Sequence, residues 1–226
     1  IERGALALKN GKMTLVPVCN PEAYRRDVRN IDENLNRVMT VHDNPRSYEQ
    51  KLANEICPLI REHRFTLDLH STHCVGDVPF AFCDYPDVYN QKLIDALPVD
   101  FVLEGWPDIY GRQTEIRDFS TEWCAHAYGN TATTLECGYH RDPQAAGLAY
   151  RAIVNALSAF GMVDLPLPAA RAKKHIRMEN YVLKSKEGRL CRSYKHLDPV
   201  CKGERIALYD DGEALYALSD LSLIHI

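Results

Sequence analysis

Residues 64–73 read RFTLDLHSTH, and the apolar part of this run closes on Asp68, Leu69 and His70. Residues two apart on a strand share a face, so Asp68 and His70 project together. A carboxylate beside an imidazole fixes the tautomer a metal ligand needs. A core histidine tied to a neighbouring carboxylate has the same spacing, and one His with one Asp does not make a metal site. His73 reads as a loop residue. A second constellation lies upstream, where Arg25, Arg26, Arg29 and Arg37 crowd a polar stretch that also holds Asn34 and Asn36. A guanidinium fork binds a carboxylate in a bidentate manner and an adjacent amide donates to the same group, so Asn36 with Arg37 makes a candidate carboxylate clamp. A solvated charge run paired with Asp27, Asp32 and Glu33 is the competing reading. The third is TTLECG at 133–138, an apolar strand ending in Glu136 ahead of Gly138. A partly desolvated glutamate at a strand end can have its pKa raised towards the range of a general base. An ordinary glutamate opening a surface loop has the same local sequence.

These groups must be positioned by the elements around them. Residues 13–18, MTLVPV, are rich in β-branched types and read as a short strand, followed by a polar, Arg-rich loop over 20–44. Residues 45–63 carry apolar side chains at helical spacing, with Asn44 as N-cap, Pro45 in the first turn and Pro58 expected to bend the helix or end its regular part early. Strands follow at 65–69 and 78–82, a helix at 87–97, an edge strand at 101–103, a helix at 121–128, a buried strand at 131–135 and a long Ala-rich helix at 143–160. Helices alternating with strands at this spacing indicate an α/β layer architecture on a parallel or mixed sheet. Beyond the Pro-containing connector VDLPLPAAR the period changes to short alternating runs, and Asp211-Gly212 predicts a hairpin with a type I′ turn. The division expected is residues 1–162 for the α/β domain and 167–226 for a β-rich module.

The composition limits what these residues can serve. The chain has 226 residues, 46% hydrophobic and 26% charged, with a net charge of −4 that arises from interspersed residues. A globular domain with a small appendage fits these values; disorder and coiled coil do not. No apolar run reaches the roughly 18 residues that cross a bilayer, and no basic stripe offers a landing surface for phosphates, so neither membrane nor nucleic acid is an expected partner. Eight cysteines lie scattered without a C-x-x-C pair, which reads as buried, reduced thiols in a cytoplasmic protein. The chain starts without Met and stops in the apolar run LSLIHI, so it reads as a fragment.

Taken together, NPEAYRRDVRNIDENLNR, DLHST and TLECG, in this order and at these separations, resemble the succinylglutamate desuccinylase/aspartoacylase family, relatives of the zinc carboxypeptidases. The resemblance covers roughly residues 13–160, and the β-rich tail is similar to that family's C-terminal module. It implies an α/β fold: a three-layer, mixed-sheet, zinc-carboxypeptidase-like domain with a small β-rich module behind it. It also implies a zinc-dependent hydrolase that cleaves the amide bond of an N-acyl amino acid or a similar small carboxylate substrate. By match to the family motifs, His70 would be the third zinc ligand and Glu136 the general base and acid. Arg29 would stabilise the oxyanion, and Asn36 and Arg37 would hold the substrate carboxylate. Arg112 and Arg117 are candidates for a second acid-binding group.

Two departures stand out. Asn34 occupies a position where the family usually has Asp, which puts the hydrogen bonding inside that loop in question. The family takes its first two zinc ligands from an H-G-x-E motif upstream of the Asn-Pro segment, and no His-x-x-Glu occurs in this sequence. The expectation is an N-terminally truncated chain, or else a natural pseudoenzyme, with one zinc ligand of three, weak zinc binding and little or no activity. A metallocarboxypeptidase acting on peptide C-termini and a non-catalytic carboxylate-binding protein are the alternatives.

Overall fold

The computed structural model describes residues 7–110, 119–182, 186–195 and 197–223. The first element is a short helix, α1 (Pro21–Arg26), where an unbroken loop was expected. The Asn20 side chain accepts the Ala23 N–H and Pro21 opens the first turn, where its missing N–H costs nothing. A single 3-10 turn follows at Leu35–Arg37, with the Asn34 side chain accepting the Asn36 N–H at 3.1 Å. The doubt raised by asparagine at position 34 is thereby removed, since an amide oxygen satisfies the same donor.

Helix α2 (Tyr48–Glu62) starts three residues later than expected, because Ser47 caps it through the Gln50 N–H. It also continues past Pro58 to Glu62 rather than ending there. The lost backbone bond is tolerated because Ala53, Cys57 and Ile60 are buried on its inner face. Strand β1 (Phe65–Thr72) is followed by β2 (Phe80–Phe82), α3 (Val88–Ala96), β3 (Phe101–Glu104) and α4 (Trp106–Tyr110). Next come α5 (Thr121–Ala127), β4 (Thr131–Tyr139) and α6 (Pro143–Ala159). Residues 13–18 form no strand: they join no sheet, Pro17 lacks a donor, and Leu15, Val16 and Val18 are exposed.

Strand β5 (Lys174–Arg177) pairs in parallel with β3, giving a five-stranded sheet in the order β1-β4-β2-β3-β5. The 101–103 strand is therefore interior, and an edge is supplied from beyond the connector. β1 and β4 are parallel, β4 and β2 antiparallel, and β2 and β3 parallel, so the sheet is mixed. Side-chain alternation sorts β4 between two layers. Leu135 and Cys137 pack with Ala145, Leu148 and Ala152 of α6, whereas Ala132 packs with Ala53, Cys57 and Ile60 of α2 and with Cys124 and Ala125 of α5. Helix, sheet and helix make the three layers expected.

The remaining strands are β6 (Gly188–Leu190), β7 (Asp198–Val200), β8 (Arg205–Tyr209), β9 (Ala214–Tyr216) and β10 (Leu221–Leu223). They form a three-stranded sheet, β6-β8-β9, and a two-stranded one, β7-β10. The Asp211-Gly212 hairpin forms between β8 and β9, yet only Gly212 has positive φ, at 88°, so the turn is not type I′. Four residues separate the strands, and the longer loop removes the need for two left-handed positions. Of the eight cysteines none is in a disulfide; Cys57, Cys83, Cys124 and Cys137 are buried, but Cys19, Cys74, Cys191 and Cys201 are exposed, against the expectation of general burial. No helix among the described residues is long and apolar enough to cross a membrane.

β1 and β4 both run past their expected ends, to Thr72 and Tyr139, so His70 and Glu136 lie inside paired strand rather than at its tip. The register slips between His70 and Thr72, opposite Gly138, whose φ of 89° lies in the left-handed region. A Cβ there would meet the Asp77 carbonyl oxygen at 3.2 Å. Gly138→Ala should cost about 1–2 kcal/mol in urea unfolding, since both the conformation and the close approach reject a side chain. An unchanged midpoint would show that this bulge is not strained by a methyl group.

Candidate functional site

His70 and Glu136 are register partners across the parallel pair β1/β4, and Asp68 faces Thr134 one step earlier. Alternation puts all four side chains on the α2/α5 side of the sheet. Asp68 Oδ2 lies 3.0 Å from His70 Nε2, so the two-residue spacing does what it promised. That contact leaves Nδ1 turned towards Glu136, whose Oε1 is 3.6 Å away. Burial alone would disfavour the charged imidazole, but the carboxylates of Asp68 and Glu136 outweigh it and raise the His70 pKa well above 6.5. Asp68 is half-buried, which by itself would raise its carboxyl, but the imidazole beside it draws it below the ordinary value. Glu136 Oε2 is buried with no hydrogen-bond partner among the described residues.

That cleft is open and is lined by Arg29, Asn36, Arg37, His70, Glu136, Glu122 and Asp84 with Phe82 and Trp106 as apolar wall. It lies beside the line where the sheet changes from parallel to antiparallel pairing, the kind of place where ligands gather in α/β sheets. All five site residues expected from sequence, His70, Glu136, Arg29, Asn36 and Arg37, border it. His73 lies outside it on the exposed loop after β1, and Arg112 and Arg117 fall outside the described residues.

The arginine-rich stretch divides by partner. Arg25 and Arg26 both pair with Glu22 on α1. Asp32 and Glu33 are taken by the start of α2 instead: Asp32 Oδ2 accepts the Tyr48 N–H, and Glu33 accepts from Ser47 and Gln50. Asp32 and Glu33 are thereby committed to α2, while Arg29 and Arg37 line the cleft and Arg37 Nη1 donates to the Asn36 carbonyl at 2.6 Å. Asn36 Oδ1 accepts the Thr121 N–H at 2.8 Å and the Thr121 hydroxyl at 3.3 Å. With Oδ1 so engaged, Nδ2 is the donor end of the amide.

Two residues that hold this geometry were not identified from sequence. Glu49 on α2 is fully buried and accepts from Ile31 N at 2.7 Å, Asp32 N at 3.1 Å, Glu33 N at 3.2 Å and Asn20 Nδ2 at 2.9 Å. Desolvation would raise its pKa, but these donors more than offset it and leave the carboxyl below its ordinary 4.5. Glu122 on α5 is buried as well, and burial pushes its carboxyl up to about 7. A charged residue in the first turn of an amphipathic helix is ordinarily solvated, so nothing local marks either one.

As a metal centre the set is incomplete. A zinc ion in a catalytic site takes three protein donors. Here one imidazole nitrogen faces the cleft, and no group of three His, Cys, Asp or Glu side chains is placed to hold a metal among the described residues. The donors present do not by themselves fit zinc.

Comparison with known proteins agrees with the fold. The family model described as succinylglutamate desuccinylase/aspartoacylase catalytic domain matches residues 2–138. Similar solved structures include a succinylglutamate desuccinylase/aspartoacylase from Rhodobacter sphaeroides, at 17% identity and TM-score 0.69, covering 92% of this chain and 66% of that one. A succinylglutamate desuccinylase from Vibrio parahaemolyticus has 15% identity and TM-score 0.71, covering 97% and 67%. The product-bound ectoine utilization protein EutE (DoeB) from Ruegeria pomeroyi has 18% identity and TM-score 0.69, covering 93% and 68%. This chain thus spans about two thirds of the length of the structures it matches. No curated protein matches its sequence.

Glu49→Gln keeps the size of the side chain but removes the charge that four donors share. It should cost about 2 kcal/mol of unfolding free energy near neutral pH. Because the folded pKa is lowered, the stabilisation is present above 4.5 and is lost as pH falls through the folded value. Denaturant melts between pH 7 and pH 3 should therefore converge for the two proteins; a constant gap would mean the carboxylate charge is not what the loop needs.

Proposed function

The chain belongs to the succinylglutamate desuccinylase/aspartoacylase family, and from that premise we propose that its cleft serves hydrolysis of the amide bond of an N-acyl amino acid or a similar small carboxylate substrate. One observation carries the reading. The unpartnered oxygen of Glu136 is buried at the same cleft that Arg29, Asn36, Arg37 and His70 line. In this scheme the Arg37 guanidinium and the Asn36 amide hold the substrate carboxylate, which sets the scissile amide against β4. Glu136 takes a proton from the attacking water and later gives it to the leaving amine, so the carboxylate ends as it began. Arg29 faces the oxygen on which negative charge develops, a contribution of a few kcal/mol in comparable sites. The product-bound form of the EutE relative is consistent with a small-molecule substrate.

Zinc belongs to this proposal through the family resemblance, with His70 as one ligand. When bound in such a site the metal lowers the pKa of its water to about 7. The described residues hold no group of three donors placed for a metal, so no step is written through it, and the 226-residue chain by itself is proposed to be inactive or nearly so. A carboxylate-binding protein without catalysis is the second reading, favoured by the same missing donors.

Two measurements test these statements. The purified 226-residue chain, equilibrated with zinc and desalted, should retain well under one equivalent by elemental analysis and should not hydrolyse acetyl-aspartate, succinyl-glutamate or short peptides. Stoichiometric zinc with turnover would overturn the donor argument, and turnover of peptides alone would favour the carboxypeptidase reading. In an active protein that includes this chain, Glu136→Gln should lower kcat at least about a hundredfold with metal content unchanged. Loss of metal instead would make Glu136 a ligand rather than the base.

A further inference from the structure

Strands β2 and β4 pair only at Phe80 with Glu136 and Ala81 with Leu135. The next rung, Phe82 with Thr134, is missing, and this is where the cleft opens. The Thr134 N–H is nevertheless satisfied, because the Glu122 carboxylate enters between the strands and accepts it at 2.6 Å on Oε1. Its other oxygen accepts the Asp84 N–H at 3.4 Å, from the segment just beyond β2. One side chain thus stands in for a rung of the ladder while holding the two strand backbones apart. The preceding residue, Thr121, binds Asn36 through its own N–H and hydroxyl.

The first turn of α5 therefore touches both halves of the site in consecutive residues. Thr121 holds the amide of the carboxylate clamp, and Glu122 holds β4 two residues before Glu136, on the face of the strand that Glu136 shares. A buried carboxylate is costly, and an apolar side chain of equal size would pack the helix without that cost. What an apolar residue cannot do is accept from both diverging strands.

We propose that Glu122 is a positioning residue: it fixes the β4 segment carrying Glu136 relative to the Asn36–Arg37 clamp and keeps the β2/β4 cleft open. This rests on the deacylase reading, in which Asn36 and Arg37 bind a carboxylate and Glu136 meets the scissile amide. Ordering of the clamp by a ligand is then transmitted through α5 to the backbone of Leu135 and Glu136.

Amide hydrogen exchange of the 226-residue chain, with and without acetyl-aspartate as probe, tests this without metal or turnover. In the unaltered protein the probe should slow exchange at Asn36–Arg37 and at Leu135–Glu136 together, by about tenfold. Glu122→Met keeps the shape but removes both acceptors; it should retain the protection at Asn36–Arg37 and lose it at Leu135–Glu136. Glu122→Gln retains one acceptor oxygen for Thr134, so it should restore part of that protection, and it reads the same property if the Met variant does not fold. Full protection at Glu136 in both folded variants would overturn the proposal and leave Glu122 a packing residue. Absence of any protection in the unaltered chain would instead defeat the carboxylate-binding reading, and the positioning role would fall with it.

Discussion

Much of the site depends on one buried carboxylate that takes no part in the chemistry. Glu49 gathers three consecutive backbone N–H groups, from Ile31 to Glu33, together with the Asn20 side chain. A stretch of chain with little regular structure would otherwise have to leave these donors to solvent or bury them unpaired, at a penalty of about 1–3 kcal/mol each. Because α2 is anchored by Ala53, Cys57 and Ile60 beneath the sheet, the loop inherits the helix's rigidity. Arg29, Asn36 and Arg37 are thereby carried to the mouth of the cleft on a segment too short of apolar residues to hold itself in place.

The opposite wall is organised by a change in strand direction. β4 runs parallel to β1 and antiparallel to β2, and the segment beyond β2 parts from the first residues of β4 where Thr134 would need a partner. A carboxylate from α5 fills that gap in the hydrogen bonding. The cleft thus has cationic groups on its loop side and carboxylates on its sheet side, a polarity suited to holding an anionic group at one end while a proton is moved at the other.

The same arrangement explains why sequence motifs could locate the site and still misplace its framework. DLHST and TLECG name two strands, and their alternation alone puts Asp68 with His70 and separates Glu136 from Leu135. The lengths of those strands were underestimated, because pairing continues for as long as a neighbour supplies partners, through a bulge that Gly138 permits. Pro58 was expected to bend α2 or end its regular part early, and the helix continues past it to Glu62, since burial of the helix outweighs one missing bond. Residues 13–18 have strand-forming types but no neighbour to pair with. The polar stretch after Asn20 hid a capped helix whose Asn-Pro start was a readable signal.

What the amino-acid sequence determined by itself was local and repetitive: the α/β alternation, the side-chain faces of β1 and β4, and five of the residues that border the cleft, Arg29, Asn36, Arg37, His70 and Glu136. Only the tertiary structure decided which acid serves which donor. Glu49 and Glu122 look like solvated helix residues until distant backbone N–H groups, 16 to 18 positions away for Glu49 and 12 for the bond to Thr134, are folded against them. The physical reason is that a hydrogen-bond donor left over by an irregular backbone has no signature in side-chain type. Its partner is selected by proximity after folding, and proximity is a property of the packed chain rather than of any window within it.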